Sequence, residues 1–256
     1  MSGHPIFAAL YDRMLAAGEK AGLRDMRANL LADARGRVLE LGAGTGLNLE
    51  HYSDAVTELV LTEPDPHMAK RLRRRVETLE VPFPIEVVET GAESLPFDDG
   101  SFDTAVTTLV FCTVSDAGRA TAEVARVLKP DGQLLLLEHV RAREDGRLSH
   151  WQDRLDRPWG WLGAGCHPNR DTATTLSAGF DVSGLRRDRL PGPAPPIARP
   201  SPGPATMKPT DPGTTRAITI SGSIHALITR FGLPVMVRGY PDEIGATRVR
   251  LGGRLR

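Results

Sequence analysis

The sequence predicts an α/β fold in which helices cover both faces of a doubly wound, mostly parallel sheet. Between residues 37 and 140, short apolar segments alternate with segments of helical period. One segment, Leu134–Leu137, is so uniformly apolar that we expect a strand buried on both faces. A Gly-rich turn directly follows the first apolar segment. This succession is typical of the βαβ units that build a parallel sheet.

The spacing of apolar residues places the elements in chain order. Residues 4–34 have the period of two helices, which precede the sheet. The predicted strands are 37–41, 57–62, 85–89, 102–109 and 134–137. The predicted helices between them are 47–52, 66–79 and 116–128, and Pro130-Asp131-Gly132 is a predicted turn.

The chain changes character after the fifth strand. Two more helices are predicted at 147–155 and 171–178, and a sixth strand at 180–189. From Leu190 to Arg216, nine prolines occur in 27 residues, a density that predicts an extended linker. We therefore expect an α/β domain over 1–190, a Pro-rich linker over 191–216 and an irregular C-terminal extension over 217–256.

Composition and charge exclude several classes of protein. The chain has 32 basic and 32 acidic residues, and nucleic-acid binding is not expected without a basic excess. The two cysteines match no disulfide framework and no metal-ligand pattern, so no metal site is expected. Neither a secretion signal nor a membrane span is recognisable, which predicts a cytoplasmic protein. The basic helix at 66–79 leaves open a peripheral contact with anionic lipid.

The Gly-rich turn is the first candidate for a ligand site. Gly42, Gly44 and Gly46 directly follow a predicted strand, at a place where glycine lets the backbone approach a ligand closely. Glu63 ends the second strand and can accept hydrogen bonds from both hydroxyls of a ribose. A dinucleotide site would require Gly-x-Gly-x-x-Gly, but Leu47 stands at the last glycine position. A turn that only connects strand to helix is the other alternative.

Four segments in order resemble class I S-adenosylmethionine (SAM)-dependent methyltransferases. Residues 38–46 (VLELGAGTG) are similar to the cofactor loop of that family, and Glu63 to its ribose-binding acid. Residues 93–103 (ESLPFDDGSFD) resemble the segment that passes the adenine, and residues 123–132 (EVARVLKPDG) the helix and turn before the fifth strand. The resemblance implies a Rossmann-like sheet, an N-terminal helical lid and SAM as the methyl donor.

A narrower likeness concerns the methyl acceptor. The segments similar to methyltransferase-like thiol methyltransferases are Pro64–Met68, Leu109–Val114, Leu137–Val140 and Trp151–Arg170. Part of this pattern is shared with ubiquinone/menaquinone C-methyltransferases and bacterial phosphatidylethanolamine N-methyltransferases. The resemblance implies methyl transfer to a small-molecule acceptor: a thiol, a quinone-type ring or a lipid amine. A methyltransferase-like subunit that binds without turnover is the alternative.

The resemblance also implies the residues of the site. The cofactor-binding residues are Glu40, Gly42, Ala43, Gly44, Gly46, Asn48, Glu63, Pro64, Gly91, Ala92, Glu93 and Leu109. His139 ends the fifth strand and is the candidate general base, since imidazole titrates near neutral pH. The candidate acceptor-pocket residues are Tyr11, Trp151, Trp159 and Cys166. For His139 and for these four, ordinary packing in the fold is the competing interpretation.

Two features depart from the family pattern. Ubiquinone-type enzymes have an aspartate where this chain has Gly91, so Glu93 or a backbone carbonyl must accept the adenine amino group instead. The last strand of the family would follow Arg199-Pro200, but Ser201–Pro204 intervenes. We therefore expect that strand to be missing, displaced to Ala217–Ile220 or replaced by other sequence.

Overall fold

The computed structural model describes residues 4–139, 153–154, 156–157, 160, 165–167, 169–182 and 235–236, with only the backbone of 139, 235 and 236. The strands are β1 (Gly36–Leu41), β2 (Val56–Thr62), β3 (Ile85–Val88), β4 (Phe102–Thr108), β5 (Leu128–His139) and β6 (Val235–Met236). The helices are α1 (Pro5–Gly18), α2 (Arg24–Leu31), α3 (Pro66–Glu77), α4 (Ala117–Val127) and α5 (Thr172–Leu176).

The strands of this part of the chain form one sheet in the order β3-β2-β1-β4-β5-β6. Strands β1 to β5 are mutually parallel, and β6 pairs antiparallel with Glu138 and His139. Strands β2 and β3 lie on one side of β1, and β4, the next strand in the chain, lies on the other side. In such sheets ligands bind beyond the carboxyl ends of the strands at this switch point, so the site is expected above β1 and β4.

Alternate residues of each strand enter two separate cores. Val38, Leu59 and Leu135 pack on one face with residues of α2 and α3. Leu39 and Leu134 pack on the other face with residues of α4 and α5. The predicted doubly wound α/β class is confirmed, because the period-two burial expected of central strands is present on both faces.

Most predicted element bounds agree with the structure to within two residues, but the helix predicted at 47–52 is wrong. A turn follows the glycines, and only Leu49–His51 form a short 3-10 helix. The segment is tied to β1 because the side chains of Asn48 and Tyr52 turn inward and bind Glu40. Gly and Asn also have low helix propensity.

Two junctions differ in detail from the expectation. The helices predicted within 4–34 are joined by a π-helical segment, Glu19–Leu23, in which Gly22 has a φ of 127°. The predicted turn Pro130–Gly132 lies within β5, where the pairing with β4 jumps from Leu128 to Gln133. The structure therefore accommodates Pro130 in an irregular stretch of strand, where no ladder hydrogen bond is needed.

Several expectations lie outside the described residues. These are most of the helix at 147–155, most of the strand at 180–189, the linker at 191–216 and the strand at 217–220; of the extension at 217–256, only Val235–Met236 is described. In the part of the chain that the structure describes, no helix is both long and apolar enough to cross a bilayer.

Candidate functional site

The glycine loop lies between β1 and the 3-10 helix, at the carboxyl end of β1. Gly42, Gly44 and Gly46 all have positive φ, at 56°, 59° and 85°. A Cβ atom on Gly46 would lie 2.6 Å from Leu49 Cδ1 and 2.8 Å from Leu72 Cδ1, so this glycine is required by packing. A Cβ on Gly44 would find nothing nearer than Tyr11 Cε1, at 3.6 Å. Tyr11 of α1 therefore lies over Gly44 at ordinary van der Waals distance, and the absence of a Cβ permits the close backbone approach that a ligand-binding loop requires.

Glu63 stands at the rim of this loop, at the carboxyl end of β2. Its carboxylate accepts hydrogen bonds from the backbone N–H groups of Gly44 and Asp65, both at 2.8 Å. Burial raises the pKa of Glu63 above its usual value, and the two backbone donors oppose that shift. Because each carboxylate oxygen has two lone pairs, the group can still accept hydroxyl donors. A fixed carboxylate at the rim of a glycine loop fits the ribose of a SAM molecule.

Glu40 and Asn48 form a buried polar cluster below the loop. Asn48 Nδ2 donates to Glu40 Oε1 at 2.9 Å, and the Tyr52 hydroxyl donates to Glu40 Oε2 at 2.7 Å. Burial raises the pKa of Glu40 to about 7, although both hydrogen bonds work against the shift. Both side chains were expected beside the cofactor, and the structure shows each of them already engaged with protein partners.

Arg27 on α2 is a residue of this cluster that the sequence analysis missed. It is buried, and its Nη1 donates to Asn48 Oδ1 at 2.8 Å and to Thr108 Oγ1 at 3.0 Å. Its Nε pairs with Glu19 at 3.1 Å, which links the cluster to the segment after α1. The sequence signal that could have identified Arg27 is its position within an apolar helical stripe, between Leu23 and Leu30. Such an arginine is expected to have a buried partner.

Helix α1 lies across the loop like a lid. The half-buried ring of Tyr11 lies against Gly44, and its removal from solvent raises the pKa of its hydroxyl. Asp12 accepts a hydrogen bond from the Thr45 hydroxyl at 2.5 Å and pairs with Arg75 at 3.3 Å. These contacts bring Tyr11, predicted for the acceptor pocket, to the donor loop.

The segment predicted to border the adenine follows β3. Glu93 Oε1 accepts a hydrogen bond from Ser115 N at 2.7 Å. A Cβ on Gly91 would lie 2.9 Å from Glu93 Oε2, so the Glu93 carboxylate fills the place that an aspartate at 91 would need. Helix α4 fixes this segment, because Arg126 donates to the carbonyls of Leu95 and Phe97. Ala92 is buried within it.

The other end of the cleft is built at the carboxyl ends of β4 and β5. Leu109 has a φ of 62°, a conformation that costs energy for any residue with a Cβ and that marks functional sites. The buried Glu138 holds the next turn: its Oε1 accepts from Val110 N at 2.7 Å, Phe111 N at 3.0 Å and the Thr107 hydroxyl at 3.0 Å.

The two cysteines, far apart in sequence, meet at this end. Cys112 and Cys166 are both buried, and the hydrogen bond between their thiols is the first cause that raises the pKa of Cys112, followed by burial. His167 N donates to Cys112 O at 2.7 Å, and Arg170 Nη1 donates to Phe111 O at 2.9 Å. Cys166 therefore lies where an acceptor pocket was expected. Trp151, Trp159 and the side chain of His139 lie outside the described residues.

The comparisons with known proteins agree with this arrangement. A methyltransferase domain model matches residues 39–136. The chain is 35% identical over 136 residues to rat thiol S-methyltransferase TMT1B, an alignment that covers 53% of this chain and 55% of that protein. It is 30% identical over 187 residues to human thiol S-methyltransferase TMT1A, covering 72% of this chain and 76% of that protein.

The chain belongs to the SAM-dependent methyltransferases. The crystal structure of a SAM-dependent methyltransferase from Thermotoga maritima shares its fold, with a TM-score of 0.52 at 23% identity, over 79% of this chain and 94% of that one. Membership establishes an enzyme fold with SAM as its cofactor. The glycine loop and the carboxylate of Glu63 are the features of this chain that fit that cofactor.

Proposed function

We propose that the chain transfers a methyl group from SAM to the sulfur of a small-molecule thiol. The donor would be held by the predicted cofactor-binding residues, with Gly44 beside its amino-acid end, Glu63 on the ribose and Glu93 at the adenine. When bound, SAM supplies an electrophilic methyl group on a sulfonium. The protein then has to orient the acceptor and exclude water, which supplies much of the rate gain in such displacements.

The contacts of Glu138 are the observation that most supports a thiol as the methyl acceptor. Among the described residues it is the buried carboxylate at this end, and its Oε1 accepts hydrogen bonds from two backbone N–H groups and one hydroxyl, which hold the turn after β4. The pKa of Cys112 and that of Tyr11 are both raised, so both side chains stay protonated near neutral pH and cannot accept a proton from the acceptor. An acceptor that ionises by itself is then favoured. Thiols ionise at about pH 8.5, against about 10 for phenols and ammonium groups.

The similarity to thiol S-methyltransferases of rat and human supports the same acceptor. His139, at the carboxyl end of β5, remains the proposed general base for any acceptor that arrives protonated. Quinone-type rings and lipid amines are the alternative acceptors, and a binding subunit without turnover is the alternative function. The cytoplasmic location stays a prediction.

The test is release of S-adenosylhomocysteine with hydrogen sulfide, an alkyl thiol, a demethylated quinone and phosphatidylethanolamine as acceptors. We expect turnover with the thiols. Turnover restricted to the quinone or the lipid would refute the proposed acceptor, and SAM binding without turnover on the whole panel would favour the binding subunit.

A series of thiols with different pKa values separates the two ways of ionising the acceptor. If the thiol ionises by itself, the midpoint of the kcat/KM profile follows the pKa of each thiol. If His139 removes the proton, the midpoint stays fixed across the series and His139→Ala abolishes it. His4→Ala, which alters an exposed histidine at the start of α1, is the matched control.

A further inference from the structure

The basic outer face of α3 has no role in the proposed reaction. This helix has five basic side chains and one acidic one, although the whole chain has no net charge. Arg73 pairs with Glu89 and Arg75 pairs with Asp12. Among the described residues, no carboxylate pairs with Lys70, Arg71 or Arg74. Three neighbouring cations are therefore left facing solvent.

These cations surround a cavity. Its volume is about 230 Å³, and it is lined by Pro5 of α1 together with His67, Lys70, Arg71 and Arg74 of α3. Neither the glycines of the cofactor loop nor Glu63 lines it, so it is separate from the SAM site. Arg74 lies four residues after Lys70 and three after Arg71, the spacings at which side chains on a helix are neighbours, so these cations can share a single anionic group.

An exposed apolar pair lies next to this cavity. Ile6 is 76% exposed and Leu10 is 43% exposed, and these two are the large apolar side chains left in solvent within the described part of the chain. They lie one helical turn apart on α1, and Ile6 directly follows the cavity residue Pro5. Apolar side chains beside unpaired cations are the two components of binding to the surface of an anionic bilayer.

We propose that α1 and α3 together dock the enzyme on an anionic lipid surface. The cavity takes a headgroup phosphate between Lys70, Arg71 and Arg74, and Ile6 and Leu10 enter the boundary between headgroups and acyl chains. A nucleic acid would use the cations alone and leave the apolar pair in water. The pairing of both features therefore favours lipid over a polyanion.

The proposal is tested by co-sedimentation of the full chain with vesicles. Vesicles of phosphatidylcholine alone are compared with vesicles that also contain phosphatidylglycerol. We expect binding only to the anionic vesicles, and a steep loss of binding as salt is added. Arg71→Gln/Arg74→Gln should weaken this binding about 30-fold. Ile6→Ser/Leu10→Ser should weaken it about tenfold at every salt concentration.

Arg119→Gln/Arg154→Gln is the matched control. It removes the same charge from exposed positions away from the cavity, Arg119 on α4 and Arg154 in a separate segment. Equal binding to neutral vesicles, an equal loss in this control, or binding to duplex DNA without binding to vesicles would overturn the proposal. Since the readout is binding, failure here leaves the turnover tests unaffected. All four substituted positions in the test variants are exposed, so unfolding is not expected and circular dichroism verifies it.

Discussion

The donor end and the acceptor end of the cleft are built in different ways. The donor end uses short, contiguous pieces of chain: the loop from Gly42 to Gly46 and Glu63 at the end of β2, joined by the 2.8 Å bond between Gly44 N and Glu63. The acceptor end brings together residues that are far apart in the chain. Cys112 follows β4, and Cys166 reaches it from a segment 54 residues later.

The difference explains why the donor is better determined than the acceptor. In the proposed site, backbone groups and a carboxylate at fixed strand ends recognise the donor. The proposed acceptor pocket is assembled from side chains on separate segments, and sites of this kind vary within one fold. This difference between the two ends can be tested by substitutions at either one. The following variants are ordered by the size of the expected effect.

Alanine substitutions at two glycines of the donor loop should have different effects, one mainly on stability and the other mainly on SAM affinity. Gly46→Ala forces a methyl group against Leu49 and Leu72 at a positive φ, so the free energy of unfolding should fall by about 3 kcal/mol. Gly44→Ala meets only Tyr11 and should cost about 1 kcal/mol of stability but lower SAM affinity about 100-fold. Denaturant unfolding and calorimetric titration separate the two. Equal affinity in Gly44→Ala and the parent chain would show that the ligand does not lie over Gly44.

The buried Glu40 should make stability depend on pH. Its pKa in the folded chain, about 7, lies above its usual value of 4.5, so folding favours the protonated form. The resulting stabilisation is complete below pH 4.5 and is lost as pH rises through 7, which amounts to at most about 3 kcal/mol. Glu40→Gln should flatten this part of the profile of unfolding free energy against pH. Glu77→Gln, at an exposed carboxylate of α3, should leave the slope in place.

Glu63→Gln should separate binding of the donor from stability of the fold. Loss of a charged acceptor for ribose hydroxyls should weaken SAM about 30-fold, or about 2 kcal/mol. Glu58→Gln on the same strand, near its amino end, removes an equal charge from the pair with Arg37 and should leave affinity unchanged. If both variants bind SAM alike, Glu63 is not the ribose acceptor.

The replacement of the family aspartate by Gly91 can be tested by reversal. Glu93→Ala should weaken SAM about tenfold, since one hydrogen bond to the adenine is lost. Adding Gly91→Asp in that background should restore affinity, because the space that Glu93 occupied is then open. Gly91→Asp alone should disturb the segment, where its Cβ would lie 2.9 Å from the Glu93 carboxylate. If Gly91→Asp does not restore SAM affinity in the Glu93→Ala background, Glu93 does not take the role of the family aspartate.

The smallest effect is expected at the acceptor end. Cys166→Ser should alter the KM of the acceptor a few-fold, by about 1 kcal/mol, and leave SAM affinity unchanged. Steady-state kinetics with the preferred thiol, alongside calorimetric titration of SAM, measures both quantities. A change in SAM affinity with no change in KM would mean that Cys166 belongs to the donor end.

The sequence predicted the features that depend on local pattern. The five parallel strands followed from their apolar runs, and the cofactor loop from three glycines after β1. Spacing alone placed Glu63 at the end of β2, where the structure has it, and its role at the ribose stays a prediction. The family likeness then added the lid, which α1 forms over Gly44.

The features that were missed depend on contacts between distant segments. Arg27 reaches Thr108 across 81 positions of sequence, and no local period reveals such a bond. The helix predicted at 47–52 was wrong because its polar side chains are drawn inward by Glu40, a tertiary effect that overrides propensity. Likewise, Glu93 was proposed only as one alternative for the adenine, and its contact with Gly91 became visible only in the structure.

The central claim, that the donor end is a SAM site, is tested most directly by isothermal titration of the full chain with SAM and with NAD. The account predicts that SAM binds at sub-millimolar concentration, that Glu63→Gln weakens it and that NAD does not bind. Absence of SAM binding, or binding of NAD in its place, would contradict the account.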